Sequence, residues 1–119
     1  MRELLIAGLV FGLLAGLGYA AHAADVIQLV YAGAILVGGG LFFSVPCAIV
    51  YHWALYRALK PRGELSPRWI WNPTGQHSKL LPAEEGRVLP WFYAGAAGWT
   101  VSVLGYVVLG LGAWVGRAP

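Results

Sequence analysis

Histidine is the residue type most able to do chemistry in this chain, as an acid–base group near neutral pH and as a metal ligand. There are three, His22, His52 and His77, and one cysteine, Cys47. They are scattered. His22 follows the first apolar run, His52 lies near the end of the second, and His77 falls in the polar stretch before the third. His22 and His52 are expected on opposite sides of a membrane, so they do not sandwich one haem. Cys47 has no second cysteine to pair with and no CxxC neighbour, and is expected to be a small apolar packing residue. No Asp, Glu, Lys or Arg interrupts the apolar runs, which removes the relays and ion-coupling groups of pumps and transporters. There is no phosphate loop, HExxH, nucleophile elbow or selectivity-filter sequence. Neither enzyme activity nor a metal centre is expected.

One pattern stands out from this background. In Ala48-x-x-x-His52-Trp53 a small residue precedes a histidine by one helical turn. It resembles the bacteriochlorophyll-binding pattern of light-harvesting polypeptides and covers only these few residues. The resemblance implies that Ala48 makes room for a tetrapyrrole and that His52 ligates its metal. Pigment or haem binding through His52 is therefore an alternative expectation, beside a leading one that needs no cofactor.

The element that positions Ala48 and His52 is the run from Val26 to Arg57, apolar until its last residues. As a helix it reaches ~48 Å, more than a ~30 Å hydrocarbon core needs, yet it is too short for two spans and a turn. One long transmembrane helix is expected, with its last turns outside the bilayer. The whole composition agrees: of 119 residues, 59% are hydrophobic and 11% charged, against about 25% charged in a soluble domain. Mean hydropathy is +0.67. A net charge of +3 carried near the membrane reads as a topology signal rather than a nucleic-acid footprint.

Three spans are expected in an all-α integral membrane protein with one domain, 1–119: about 4–22, 26–57 and 89–115. The first, with Ala21-His22-Ala23 behind it, mimics a signal peptide but is long enough to span, and is expected to be retained. The turn Ala20 to Asp25 is short, so helices 1 and 2 are expected as a tight hairpin, with Asp25 as N-cap. Connector 59–87 contains Pro61, Pro67, Pro73 and Pro82 and is expected to be irregular, not an independent domain. Pro82-Ala83-Glu84-Glu85 reads as the start of a short helix; that helix, or Pro90 itself, leads into the third span.

Small residues recur on one side of each helix. Gly8, Gly12 and Gly16 are spaced by four; Gly33, Gly40, Ser44 and Cys47 follow near-heptad spacing; Gly98, Ser102, Gly105, Gly112 and Gly116 form a third stripe. Such faces let helix backbones approach in lipid, where no hydrophobic effect joins them, and predict a close-packed bundle with little cavity. Gly38-Gly39-Gly40 and Pro46 weaken the middle of helix 2, and Pro46 removes the donor for the Phe42 carbonyl. Aromatic anchors are expected at the interfaces: Tyr51, Trp53, Tyr56, Trp69, Trp71, Trp91 and Trp114. Arg68-Trp69-Ile70-Trp71 reads as a patch lying in lipid headgroups.

Six of the eight basic residues, Arg57, Lys60, Arg62, Arg68, Lys79 and Arg87, lie in or beside the connector. The positive-inside rule places it in the cytoplasm, with the N-terminus inside and the C-terminus outside a bacterial inner membrane. The expected function is that of a non-catalytic accessory or structural subunit of a larger respiratory, photosynthetic or transport complex. Its expected partners are other membrane subunits and lipid headgroups, not nucleic acid. A homo-oligomeric channel or transporter, lined by Ser44, Thr100 and Ser102 and gated at Gly38–Pro46, is a further alternative.

Overall fold

The computed structural model describes residues 2–117; Met1, Ala118 and Pro119, at the ends of the 1–119 domain, lie outside the described residues. Among these, every regular element is helical. Helices α1 (Arg2–Ala23), α2 (Val26–Leu59) and α3 (Pro82–Val115) are joined by Ala24-Asp25 and by a connector with two 3-10 turns, Lys60–Arg62 and Thr74–Lys79. All three α-helices are long and apolar enough to cross a membrane.

The helix ends have local causes. The Asp25 carbonyl accepts from Leu29 N at 3.1 Å, and the Asp25 N–H donates to Gln28 Oε1 at 3.2 Å, one half of a capping box. At the start of α3 the Leu81 N–H donates to Glu84 Oε2 at 2.9 Å, with Pro82 behind it in the first turn. After α2, the Lys60–Arg62 turn closes on Gly63 at φ +68°, whose N–H donates to the Lys60 carbonyl at 3.1 Å. That left-handed backbone suits glycine alone without strain.

The structure corrects several boundaries. Helix α1 runs 2–23 rather than 4–22, and α2 ends at Leu59 rather than Arg57. Helix α3 begins at Pro82, not Leu89, and is one continuous helix of 34 residues with Pro90 inside it. Pro90 deprives only the Gly86 carbonyl of its donor. Residue 86 has no side chain to crowd the ring, and both Gly86 and Pro90 are exposed, so the helix passes through.

The chain divides into two compact units, residues 1–38 with 102–119, and residues 39–101. In the first, the start of α2 runs antiparallel to the end of α3. A Cβ built on Gly105 would fall 2.6 Å from Val37 N and 2.8 Å from the Gly33 carbonyl oxygen; on Gly33 it would fall 2.9 Å from the Gly105 oxygen. Gly112 lies against Leu29 and Val30, and Gly116 against Val26. The Ser102 hydroxyl donates to the Val37 carbonyl at 3.3 Å.

Helix α1 belongs to this unit but does not join the seam. None of its described residues is buried, and Gly8, Gly12 and Gly16 have nothing within 4 Å of an added Cβ. The two-residue link is as short as the sequence suggests, yet the expected close packing of three helices reduces to two. Two apolar helices in lipid gain little from touching unless their small faces mesh, and those of α2 are already taken by α3.

In the second unit α2 and α3 also run close together. A Cβ on Gly98 would lie 3.0 Å from the Gly40 oxygen and from Ser44 Cβ. The Ser44 hydroxyl donates to the Gly95 carbonyl at 2.9 Å. Below it, Tyr51, Leu55 and Leu59 of α2, Val88 of α3 and Leu80 of the connector form a buried apolar cluster.

Candidate functional site

The connector, expected to be irregular, is folded onto that core. Leu80 is buried in it, with Leu65 and Trp69 packed around. Arg62 and Lys79 tie the loop together. Arg62 Nη2 donates to the Lys79 carbonyl at 2.9 Å and to Glu84 Oε2 at 2.7 Å, while Nη1 pairs with Glu64 at 3.2 Å. Lys79 Nζ donates to the Glu64 carbonyl and Ser66 Oγ, both at 2.8 Å, and to Gln76 Oε1 at 3.1 Å. Two basic residues that look like topology signals are therefore also structural ties.

Tyr51 is not an interface anchor. It lies on the buried stripe of α2, four residues after Cys47 and four before Leu55, and is 4% exposed. Its ring meets Phe92 at 5.4 Å and His77 at 5.8 Å. Tyr51 Oη and His77 Nε2 share a 2.6 Å hydrogen bond, the hydroxyl donating when that nitrogen carries no proton. Gln76, 4% exposed, accepts from Lys79 and the Ser66 N–H. Sequence reasoning missed Gln76, His77 and Gly95; the first two are polar residues in a proline-rich stretch, and only the tertiary fold buries Gln76 and brings half-buried His77 against Tyr51.

Among the described residues, the structure brings no other histidine or carboxylate to His52 that would complete a metal-binding group. Its Nδ1–H donates to the Ala48 carbonyl at 2.8 Å, which leaves the lone pair on Nε2 in the neutral ring. Trp69 lies against the ring at 5.8 Å and Tyr51 at 5.2 Å. Ala48 borders Gly95 of α3, where an added Cβ would meet Ala48 N at 3.7 Å. The small residue thus serves helix contact on at least one side.

The remaining aromatic positions ring the connector end and the far end of α3. Trp53, Trp91 and Trp114 are exposed, Trp69 is half-buried, and Trp71 is 88% exposed beside exposed Ile70. The Arg57 guanidinium lies 4.9 Å over the Trp53 ring, and Lys60 lies 5.6 Å over Tyr56. Trp53 and Arg57 of α2, with Arg87 and Trp91 of α3, line one open groove of about 690 Å³, together with Arg62 and Glu84.

No known family profile, curated protein or solved structure matches this chain. Its function has to be read from its own residues.

Proposed function

We propose that the chain is a non-catalytic subunit of a larger membrane complex, inserted in the bacterial inner membrane with its connector in the cytoplasm and its C-terminus outside. The observation that carries this reading is α1, a 22-residue apolar helix with no buried residue among those described and three glycines in register on an open face. A helix that needs nothing from its own chain has its small-residue face free for a neighbour's backbone. The rest of the chain supplies, in each unit, a close α2–α3 contact with glycines and a serine hydroxyl across it, and in the second unit the folded connector.

The same hydroxyls speak against the channel alternative. Ser44 and Ser102 donate to carbonyls of the facing helix, which supports a packing role over a pore lining, and the Thr100 hydroxyl donates to its own helix at Ala96. The pigment alternative rests on Ala48 and His52, and Trp69 already lies against the histidine ring. His52→Gln is expected to leave assembly and visible absorbance unchanged; a loss of absorbance there and in Ala48→Leu would favour the cofactor reading.

The test is native electrophoresis and mass spectrometry of the chain extracted in mild detergent at natural expression. It is expected to migrate with at least one other polypeptide in fixed ratio, and Gly12→Leu should release it. Migration of wild type alone, or only with copies of itself, would sink the subunit reading.

A further inference from the structure

The groove between the end of α2 and the start of α3 is built as a mirrored pair. On α2, Trp53 precedes Arg57 by one turn; on antiparallel α3, Arg87 precedes Trp91 by one turn. Both arginines therefore lie toward the connector, and both indoles lie about 6 Å deeper along the helices. Among the described residues, neither Arg57 nor Arg87 meets a carboxylate within ion-pair distance. The third arginine of the groove, Arg62, is held by Glu84 at 2.7 Å, and that carboxylate also caps α3. Arg62 also meets Glu64 at 3.2 Å, so three arginines against two glutamates leave a surplus of one positive charge, and the two guanidiniums outside any ion pair are those of Arg57 and Arg87. Val50, Ala54 and Val88 line the groove between the indoles.

We infer that this groove binds the headgroup of an anionic glycerophospholipid from the leaflet facing the connector. The phosphodiester lies between the Arg57 and Arg87 guanidiniums, whose planar forks match phosphate oxygens. The indoles sit one turn deeper, at the glycerol and ester level that tryptophan favours, and an acyl chain follows the apolar floor. The charge surplus selects against a zwitterionic headgroup, and the Trp53 face that would cradle a choline is covered by Arg57. Basic pockets between helices on the cytoplasmic side suit such lipids. The inference rests on the membrane placement proposed above but not on the subunit reading, since it concerns the chain alone.

Native mass spectrometry of the purified full chain in detergent tests it, with phosphatidylglycerol or phosphatidylcholine titrated in. One phosphatidylglycerol is expected to be retained at concentrations where phosphatidylcholine is not. Arg57→Gln and Arg87→Gln should each weaken retention about fivefold to tenfold, one charged contact apiece. Arg68→Gln, which removes an exposed charge outside the groove, should leave it unchanged. Neither groove arginine carries an ion pair, so the single variants should keep the wild-type thermal transition, and a variant that does not is replaced by the Arg→Lys exchange, expected to weaken retention by the loss of the fork. Equal retention of both lipids, or undiminished preference in the variants, overturns the proposal. So does displacement of the lipid by inorganic phosphate, which would mark a site for soluble anions instead.

Discussion

At the scale of single residues, the small side chains of α2 and α3 decide how closely two backbones can run, and they were legible because they repeat near seven residues. Gly33, Gly40, Ser44, Gly98, Ser102, Gly105 and Gly112 all lie at the contact between the helices. Gly8, Gly12 and Gly16 share the spacing, but a Cβ added there would meet nothing within 4 Å among the described residues; spacing shows that a face exists, not which helix covers it. Two alanine substitutions separate these cases. Gly105→Ala would press a Cβ within 2.6 Å of Val37 N and 2.8 Å of the Gly33 oxygen, backbone atoms that cannot swing aside. It should destabilise the purified chain by about 1–3 kcal/mol. Gly110→Ala meets nothing within 4 Å and should be neutral or stabilising, by up to about 1 kcal/mol from helix propensity. Denaturant titration in detergent, followed by tryptophan fluorescence, measures both. Equal effects would mean that the close approach is not what holds the seam.

At the scale of elements, the helices were readable from apolar length and caps, because in lipid a backbone has no other means of satisfying itself. The connector was not. Prolines and short polar runs resemble a loose loop in sequence. What folds this one is Leu80 entering the α2–α3 core and two cations drawing distant carbonyls together. Lys79 is the better probe, since methionine keeps its stem and removes only the donors. Lys79→Met gives up contacts to the Glu64 carbonyl, Ser66 Oγ and Gln76 Oε1. A hydrogen bond from a charged group contributes about 1.5–3 kcal/mol, so local opening should become at least about tenfold more frequent. Hydrogen exchange should accelerate by that factor over residues 63–80 and stay unchanged in the middle of α2. Uniform acceleration would show that the connector opens only with the whole protein. A second probe of the same element is Tyr51→Phe, which removes the 2.6 Å bond to His77 and should cost about 1 kcal/mol without altering helix content.

At the scale of the whole molecule, the question is how the chain lies in the membrane. Three apolar helices put the two ends on opposite sides if each crosses once, and the proposed side of the connector rests on the six basic residues in or beside it. Two of the six, Arg62 and Lys79, are tied into the connector fold, but a tied cation is still a charge that resists translocation, so the proposed orientation does not depend on their being free. Cysteine labelling reads this directly, provided the sites are accessible. His22, at the end of α1, and Ser78, in the second 3-10 turn, are both exposed. Gln76, two residues earlier, is buried, and a cysteine there would report folding rather than topology. The native Cys47 is buried on the seam and is removed by exchange to serine, which keeps its size. In that background, an impermeant maleimide added to intact cells should label His22→Cys and leave Ser78→Cys untouched until the membrane is opened. The reverse pattern would keep three spans and invert the protein, placing the arginine groove in the outer leaflet. Labelling of both sites in intact cells would mean that α2, the one helix between them, does not cross the membrane once, and would overturn the three-span reading.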